Sequence, residues 1–116
     1  ATFKLDRAKK PQEIDLVFYA ATQFPERYRH GAFIAFHGEV TPRGAEVGGY
    51  NVVFVPMSAS GEITGAWEIF ADDFERVLTS ANVPGRPSGL AVGPDGALYI
   101  GDDAGGRVFK VTYIGR

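Results

Sequence analysis

The chain has no cysteine, one methionine, one tryptophan and two histidines among its 116 residues. The lack of thiols excludes a disulfide framework and a thiolate metal site, and leaves both cytosol and periplasm open. No histidine pair stands at metal-ligand spacing, and there is no nucleophile motif and no Cys–His arrangement. No apolar run approaches the ~20 residues of a membrane-spanning helix, and no signal-peptide pattern is present. The net charge of −2 gives no electrostatic case for nucleic acid or an anionic membrane. What the chain does have is glycine, fifteen of them, within a composition that is 45% hydrophobic and 22% charged. That is a soluble, turn-rich composition suited to an all-β fold and poorly suited to a helical bundle. The first residue is Ala, which leads us to expect a processed chain or a piece cut from a longer one.

One segment occurs twice. Gly31-Ala32-Phe33-Ile34-Ala35-Phe36-His37-Gly38 is answered by Gly96-Ala97-Leu98-Tyr99-Ile100-Gly101-Asp102-Asp103. In each copy a Gly-Gly then opens a further strand, from Gly48 and from Gly105. A repeat of about 45–65 residues made of short strands predicts β-propeller blades. The alternative is a small β-sandwich or open sheet in which the repeat is coincidence.

Alternation and turn residues predict four strands in the first copy, at about 14–21, 32–37, 50–57 and 67–71. They predict three in the second, at about 89–92, 97–101 and 108–113. Gly93-Pro94-Asp95-Gly96 reads as a tight turn, because Pro presets φ and Gly accepts a positive one. One helical turn is expected within Phe24–Tyr28 and another at Phe74–Leu78. Tyr19, Phe33, Phe54, Trp67 and Phe109 are expected to pack the blades. Residues 2–5 form a short alternating segment able to supply the missing outer strand. The expected fold class is therefore all-β: one unit over 1–116, with blade one at about 12–72 and blade two at about 85–113. Two blades leave open faces that need a partner. A homotrimer closing a six-bladed ring lies within the usual four to eight blades.

In an up-and-down blade, the turn between strands two and three lies at the same end as the start of strand one. This gathers Lys9–Gln12, Gly85-Arg86-Pro87 and the loops after His37 and Asp102 on one rim. The first of those loops has ten residues, 38 to 47, and the second has two. Such a local insertion marks the binding face of many repeat proteins. It holds Glu39, Arg43 and Glu46, near His37, Arg86, Asp102 and Asp103. A rim of mixed sign suits a small polyanionic or polyhydroxylated ligand. Asp72-Asp73 and Asp102-Asp103 lack the ligand spacing of an EF-hand loop.

Three stretches carry a family resemblance: Phe24-Pro25-Glu26-Arg27-Tyr28-Arg29-His30-Gly31 with the strand that follows, Gly49-Tyr50-Asn51-Val52-Val53-Phe54-Val55-Pro56, and Gly85-Arg86-Pro87-Ser88-Gly89-Leu90-Ala91-Val92. Together with Pro94-Asp95-Gly96-Ala97-Leu98-Tyr99 and Asp102-Asp103, they resemble the C-terminal part of the glucose/sorbosone dehydrogenase family, from about Leu16 to Tyr113. The resemblance implies a six-bladed propeller, a periplasmic or secreted location, and aldose oxidation with pyrroloquinoline quinone (PQQ) and calcium. It implies that Arg86 contacts the cofactor, that Asp102 lies at the pocket, and that His37 begins a segment lining it. Here Glu39-Val40-Thr41-Pro42-Arg43 replaces the family's Ser-Trp-Asn-Arg, so Arg43 meets the motif's arginine only after a shift of one position. The family's catalytic histidine and calcium segment lie in earlier blades that this chain lacks. Two expectations follow: a non-catalytic module binding a sugar or quinone-like ligand through His37, Arg43, Arg86 and Asp102, or the C-terminal fragment of an active dehydrogenase.

Overall fold

A computed structural model describes residues 13–36, 51–72, 87–103 and 106–115. They form two antiparallel sheets and almost no helix. The first sheet runs in the order β1 (Glu13–Phe18), β2 (Ala32–Phe36), β3 (Asn51–Val55) and β4 (Glu68–Ala71). The second runs β5 (Pro87–Val92), β6 (Leu98–Asp102) and β7 (Arg107–Val111). A single 3-10 turn covers Glu26–Tyr28, inside the stretch expected to hold one. The seven strands lie where alternation puts them, with ends displaced by up to three residues. The segment 2–5, the stretch 74–78 and the loop 38–47 lie outside the described residues.

Each turn has a local cause. Gly96 donates its N–H to the Gly93 carbonyl, Gly93 donates to the Ala97 carbonyl, and Gly96 sits at φ 88°. The Asp95 carboxylate accepts the Ala97 N–H, which holds it below the usual carboxylate range, with Lys110 contributing less. Between β3 and β4 the chain folds over Ser58–Gly61, where Gly61 donates to the Ser58 carbonyl at φ 90°. The opposing Arg27–Glu68 pair is largely exposed and adds little stability.

The sheets meet face to face through one core. Tyr19, Phe33, Ala35, Val52 and Phe54 of the first sheet pack on Leu98 and Ile100 of the second, with Leu90, Val92, Phe109 and Val111 alongside. Tyr19 stacks on Phe24 at 4.8 Å, and Phe33 lies 5.0 Å from Phe54 and 4.7 Å from Phe70. The Tyr19 hydroxyl donates to the Gly96 carbonyl at 2.6 Å and accepts the Phe24 N–H at 3.1 Å. Trp67 departs from expectation. It lies just before β4 and is 52% exposed, because the strand begins at Glu68 and the core rings are already supplied by Phe24, Tyr28 and Phe70.

The internal repeat is present in three dimensions, but its register is corrected by one residue. Tyr19 and Gly31 close the β1–β2 hairpin as Gly93 and Ala97 close the β5–β6 hairpin. The positive-φ residue is His30 (φ 73°) in one and Gly96 in the other. Gly31 thus corresponds to Ala97 rather than to Gly96. Gly31 is a glycine for another reason: a Cβ there would lie 2.3 Å from the Phe54 ring and 2.8 Å from the Val55 carbonyl oxygen. The corrected register also aligns the irregularities at Glu13/Asp15 and Pro87/Gly89.

This register decides which faces touch. Phe33 of the first sheet corresponds to Tyr99 of the second, yet Phe33 faces the shared core and Tyr99 lies on the far side of its sheet from Leu98 and Ile100. Unlike faces therefore meet, and the contact is head-to-tail.

Two substitutions test this packing. Tyr19→Phe leaves the Gly96 carbonyl and the Phe24 N–H without their buried partner, and we expect a loss of about 1–3 kcal/mol in urea unfolding. Gly31→Ala drives a methyl into Phe54 and should cost on the order of 1–3 kcal/mol. Gly89→Ala, with open space around its Cβ, should be neutral to within about 0.5 kcal/mol in the same assay.

Candidate functional site

The two sheets share one polar end. The β1–β2 loop touches the β5–β6 turn, where the Gln23 amide donates to the Asp95 carbonyl. Both loops that follow β2 and β6 therefore open at the opposite end. At that rim Phe36 stands opposite Asn51 and Glu13, and Asp102 opposite Arg107 and Pro87. The blade argument expects the binding rim at this end; most of the segments it gathers there lie outside the described residues.

Asp102 is the candidate that the structure describes. It ends β6 on the same side of the strand as Leu98 and Ile100, and its side chain is 0% exposed. Its Oδ2 accepts from Arg107 Nη2 at 3.1 Å, and its backbone carbonyl accepts the Gly106 N–H. Arg107, half-buried, also lies over the Phe109 ring at 5.3 Å. A buried carboxylate opposite a guanidinium is a costly arrangement to desolvate, and it is retained here at a strand end. Asp103 is exposed. His37, Arg43 and Arg86 lie outside the described residues, as do Glu39 and Glu46.

Arg107 and Asn51 were not singled out from the sequence. Asn51 corresponds to Arg107 in the corrected register and keeps a buried Oδ1 without a hydrogen-bond donor among the described residues. A neighbouring bond fixes the frame of the rim: Asp15 Oδ2 accepts the Leu90 N–H at 2.9 Å, tying β1 to β5. The signal for Arg107 was present in the hairpin count. A tight β6–β7 turn places the residue after Gly105-Gly106 directly across from Asp102.

The opposite end of the molecule differs in chemistry. An open cleft of about 260 Å³ there is lined by Phe24, Pro25, Tyr28, Phe70 and Tyr113, and its cation, Arg27, is tied to Glu68. Among the described residues no group of three or more His, Asp or Glu is placed to hold a metal ion. No helix among them is long and apolar enough to cross a membrane.

The rim pair can be tested directly. Asp102→Asn removes the negative charge facing a half-buried guanidinium, and we expect a loss on the order of 2–4 kcal/mol in denaturant unfolding. The double variant Asp102→Asn with Arg107→Met should recover part of that loss. A single-variant cost below about 0.5 kcal/mol would show that the pair contributes nothing to the rim.

A family model described as TrAA12-like matches residues 9–114, a span that takes in both sheets and the rim. No curated protein and no solved structure matches the chain. The match covers well over half of the sequence, and the chain belongs to the TrAA12-like family.

Proposed function

We propose that the chain is a two-blade β-propeller unit, completed as a homotrimer, whose rim binds a small polar or anionic ligand of the sugar or quinone class. The chain alone binds without turning the ligand over. The observation that carries this reading is the buried Asp102–Arg107 pair at the end where the β2 and β6 loops open. The unlike-face contact between the sheets supports the blade reading, since successive blades of a propeller pack head-to-tail. The part-exposed Arg107 guanidinium, oriented by buried Asp102, suits the hydroxyl or carboxylate oxygens of such a ligand.

PQQ is a stricter fit. It carries several carboxylates and needs cations. Among the described residues the rim offers one guanidinium, Arg107, against the carboxylates of Asp102 and Asp103, so its cation is outnumbered. Binding of the quinone therefore depends on Arg86, Arg43 and His37, as the glucose/sorbosone dehydrogenase resemblance implies. When bound, the group would supply hydride acceptance from a sugar. This chain's residues would hold its carboxylates and orient it over the rim.

The test is titration of PQQ, with and without calcium, into the full chain, followed by aldose-dependent dye reduction. We expect saturable binding, no turnover, and a weakening of about 10-fold or more for Arg86→Ala, from loss of a charged hydrogen bond. Unchanged affinity in that variant removes Arg86 from the site. Clear turnover would overturn the non-catalytic reading in favour of a fragment that retains dehydrogenase chemistry.

A further inference from the structure

The chain contains one Asp-Gly step, Asp95-Gly96, and it lies at the junction of the two sheets. Such a step carries an electrophile and a nucleophile side by side. The nitrogen of the following residue can attack the side-chain carboxyl carbon, and glycine has no Cβ to hinder it. The Asp95 side chain is half exposed at the tip of the β5–β6 turn, so water reaches it.

The turn holds both reacting groups. The Gly96 N–H donates to the Gly93 carbonyl at 2.9 Å. Asp95 Oδ1 accepts the Ala97 N–H at 3.1 Å, a local turn-forming contact, and Oδ2 lies 3.3 Å from Lys110 Nζ. Both contacts favour the ionised carboxylate, whose oxygen can leave only after protonation. The same two residues tie the sheets together. The Gly96 carbonyl accepts from the Tyr19 hydroxyl, and the Asp95 carbonyl accepts from the Gln23 amide. Gly96 is packed so closely that a Cβ there would lie 2.8 Å from that of Gln23 and 3.2 Å from that of Ala21.

We propose that Asp95 is a site of spontaneous isoaspartate formation, restrained by the Ala97 and Lys110 contacts, whose conversion unties the β5–β6 turn from the first sheet. The Gly96 nitrogen bonds to Asp95 Cγ, the Cγ–O bond of the protonated carboxyl breaks, and its hydroxyl leaves as water with the amide proton. A second water then adds to the α-carbonyl carbon of the five-membered imide. The bond from that carbon to the Gly96 nitrogen breaks, and the nitrogen regains its proton. The main chain now runs through Cβ and Cγ and is one carbon longer. The former Asp95 carbonyl, acceptor of the Gln23 amide, becomes a free carboxylate off the chain path. The added carbon displaces the Gly96 carbonyl from the Tyr19 hydroxyl, since the close packing on Ala21 and Gln23 leaves no room to absorb it.

The experiment ages the full chain for several weeks in neutral buffer and maps its peptides. Isoaspartate is scored by enzymatic carboxyl methylation and by resistance to a protease that cuts before Asp. It should appear at Asp95 ahead of every other aspartate, and about 10-fold or more slowly in the folded chain than in denaturing urea, because the turn must open first. Lys110→Met removes an exposed ion pair and should speed it about two- to fivefold, with the fold retained by circular dichroism. Asp95→Glu would need a six-membered ring and should stay unmodified at that position. Aged protein should show an earlier urea transition whose amplitude follows the isoaspartate fraction. No isoaspartate at Asp95 even in urea overturns the site. Equal rates in the folded chain and in urea, or an unchanged rate in Lys110→Met, overturn the restraint. A modified fraction that unfolds with the unmodified chain overturns the untying of the sheets.

Discussion

The Tyr19 hydroxyl is where the two sheets are joined. It is buried, it accepts the Phe24 N–H, and it donates to the Gly96 carbonyl across the sheet boundary. A buried phenol needs such partners, because leaving one polar atom unpaired costs more than the bond itself returns. With both satisfied, the β1–β2 loop is pinned to the β5–β6 turn, and the ring of Tyr19 is fixed between Phe24 and Phe33. The remaining core forms around that anchor. Fixing this end also fixes the other, since β1 and β5 are tied again by Asp15 and the Leu90 N–H. The rim is the consequence of those two ties.

The way the sheets meet has a structural cost. A sandwich buries its two like faces and is finished. Here the Phe33–Phe54 face of the first sheet covers the unlike face of the second, while the first sheet's other face buries Ile34, Phe36, Val53 and Val55 with Met57 and Ile63 against them. Phe18 and Val108 stay exposed on edge strands whose other sides are only partly buried. The same geometry keeps Asp102 and Arg107 paired at the end opposite the Tyr19–Gly96 tie.

Much of this was legible in the residues. The seven strands follow from alternating apolar runs punctuated by Gly and Pro, and the Gly93–Gly96 turn from Pro-Asp-Gly. The shared end of the two sheets follows from up-and-down connectivity alone. Other features were not legible. The repeat was aligned glycine on glycine, but Gly31 and Gly96 are glycines for different reasons: one clears the Phe54 ring and the other takes a positive φ. His30 takes that φ in the first hairpin, and nothing in its side chain announces it. Trp67 looked like a core residue from its size, yet it stands one residue before its strand and outside the packed rings. The partner of Asp102 needed the register of β6 and β7 to be known.

The sequence by itself determined the local order: which segments extend and where they turn. Those properties come from backbone sterics and from alternation with a period of two, and both are local. Only the tertiary structure decided which face of each sheet is inside. A one-residue change of register exchanges every side chain between faces, and the register was set by contacts between residues more than seventy positions apart, Tyr19 with Gly96 and Asp15 with Leu90.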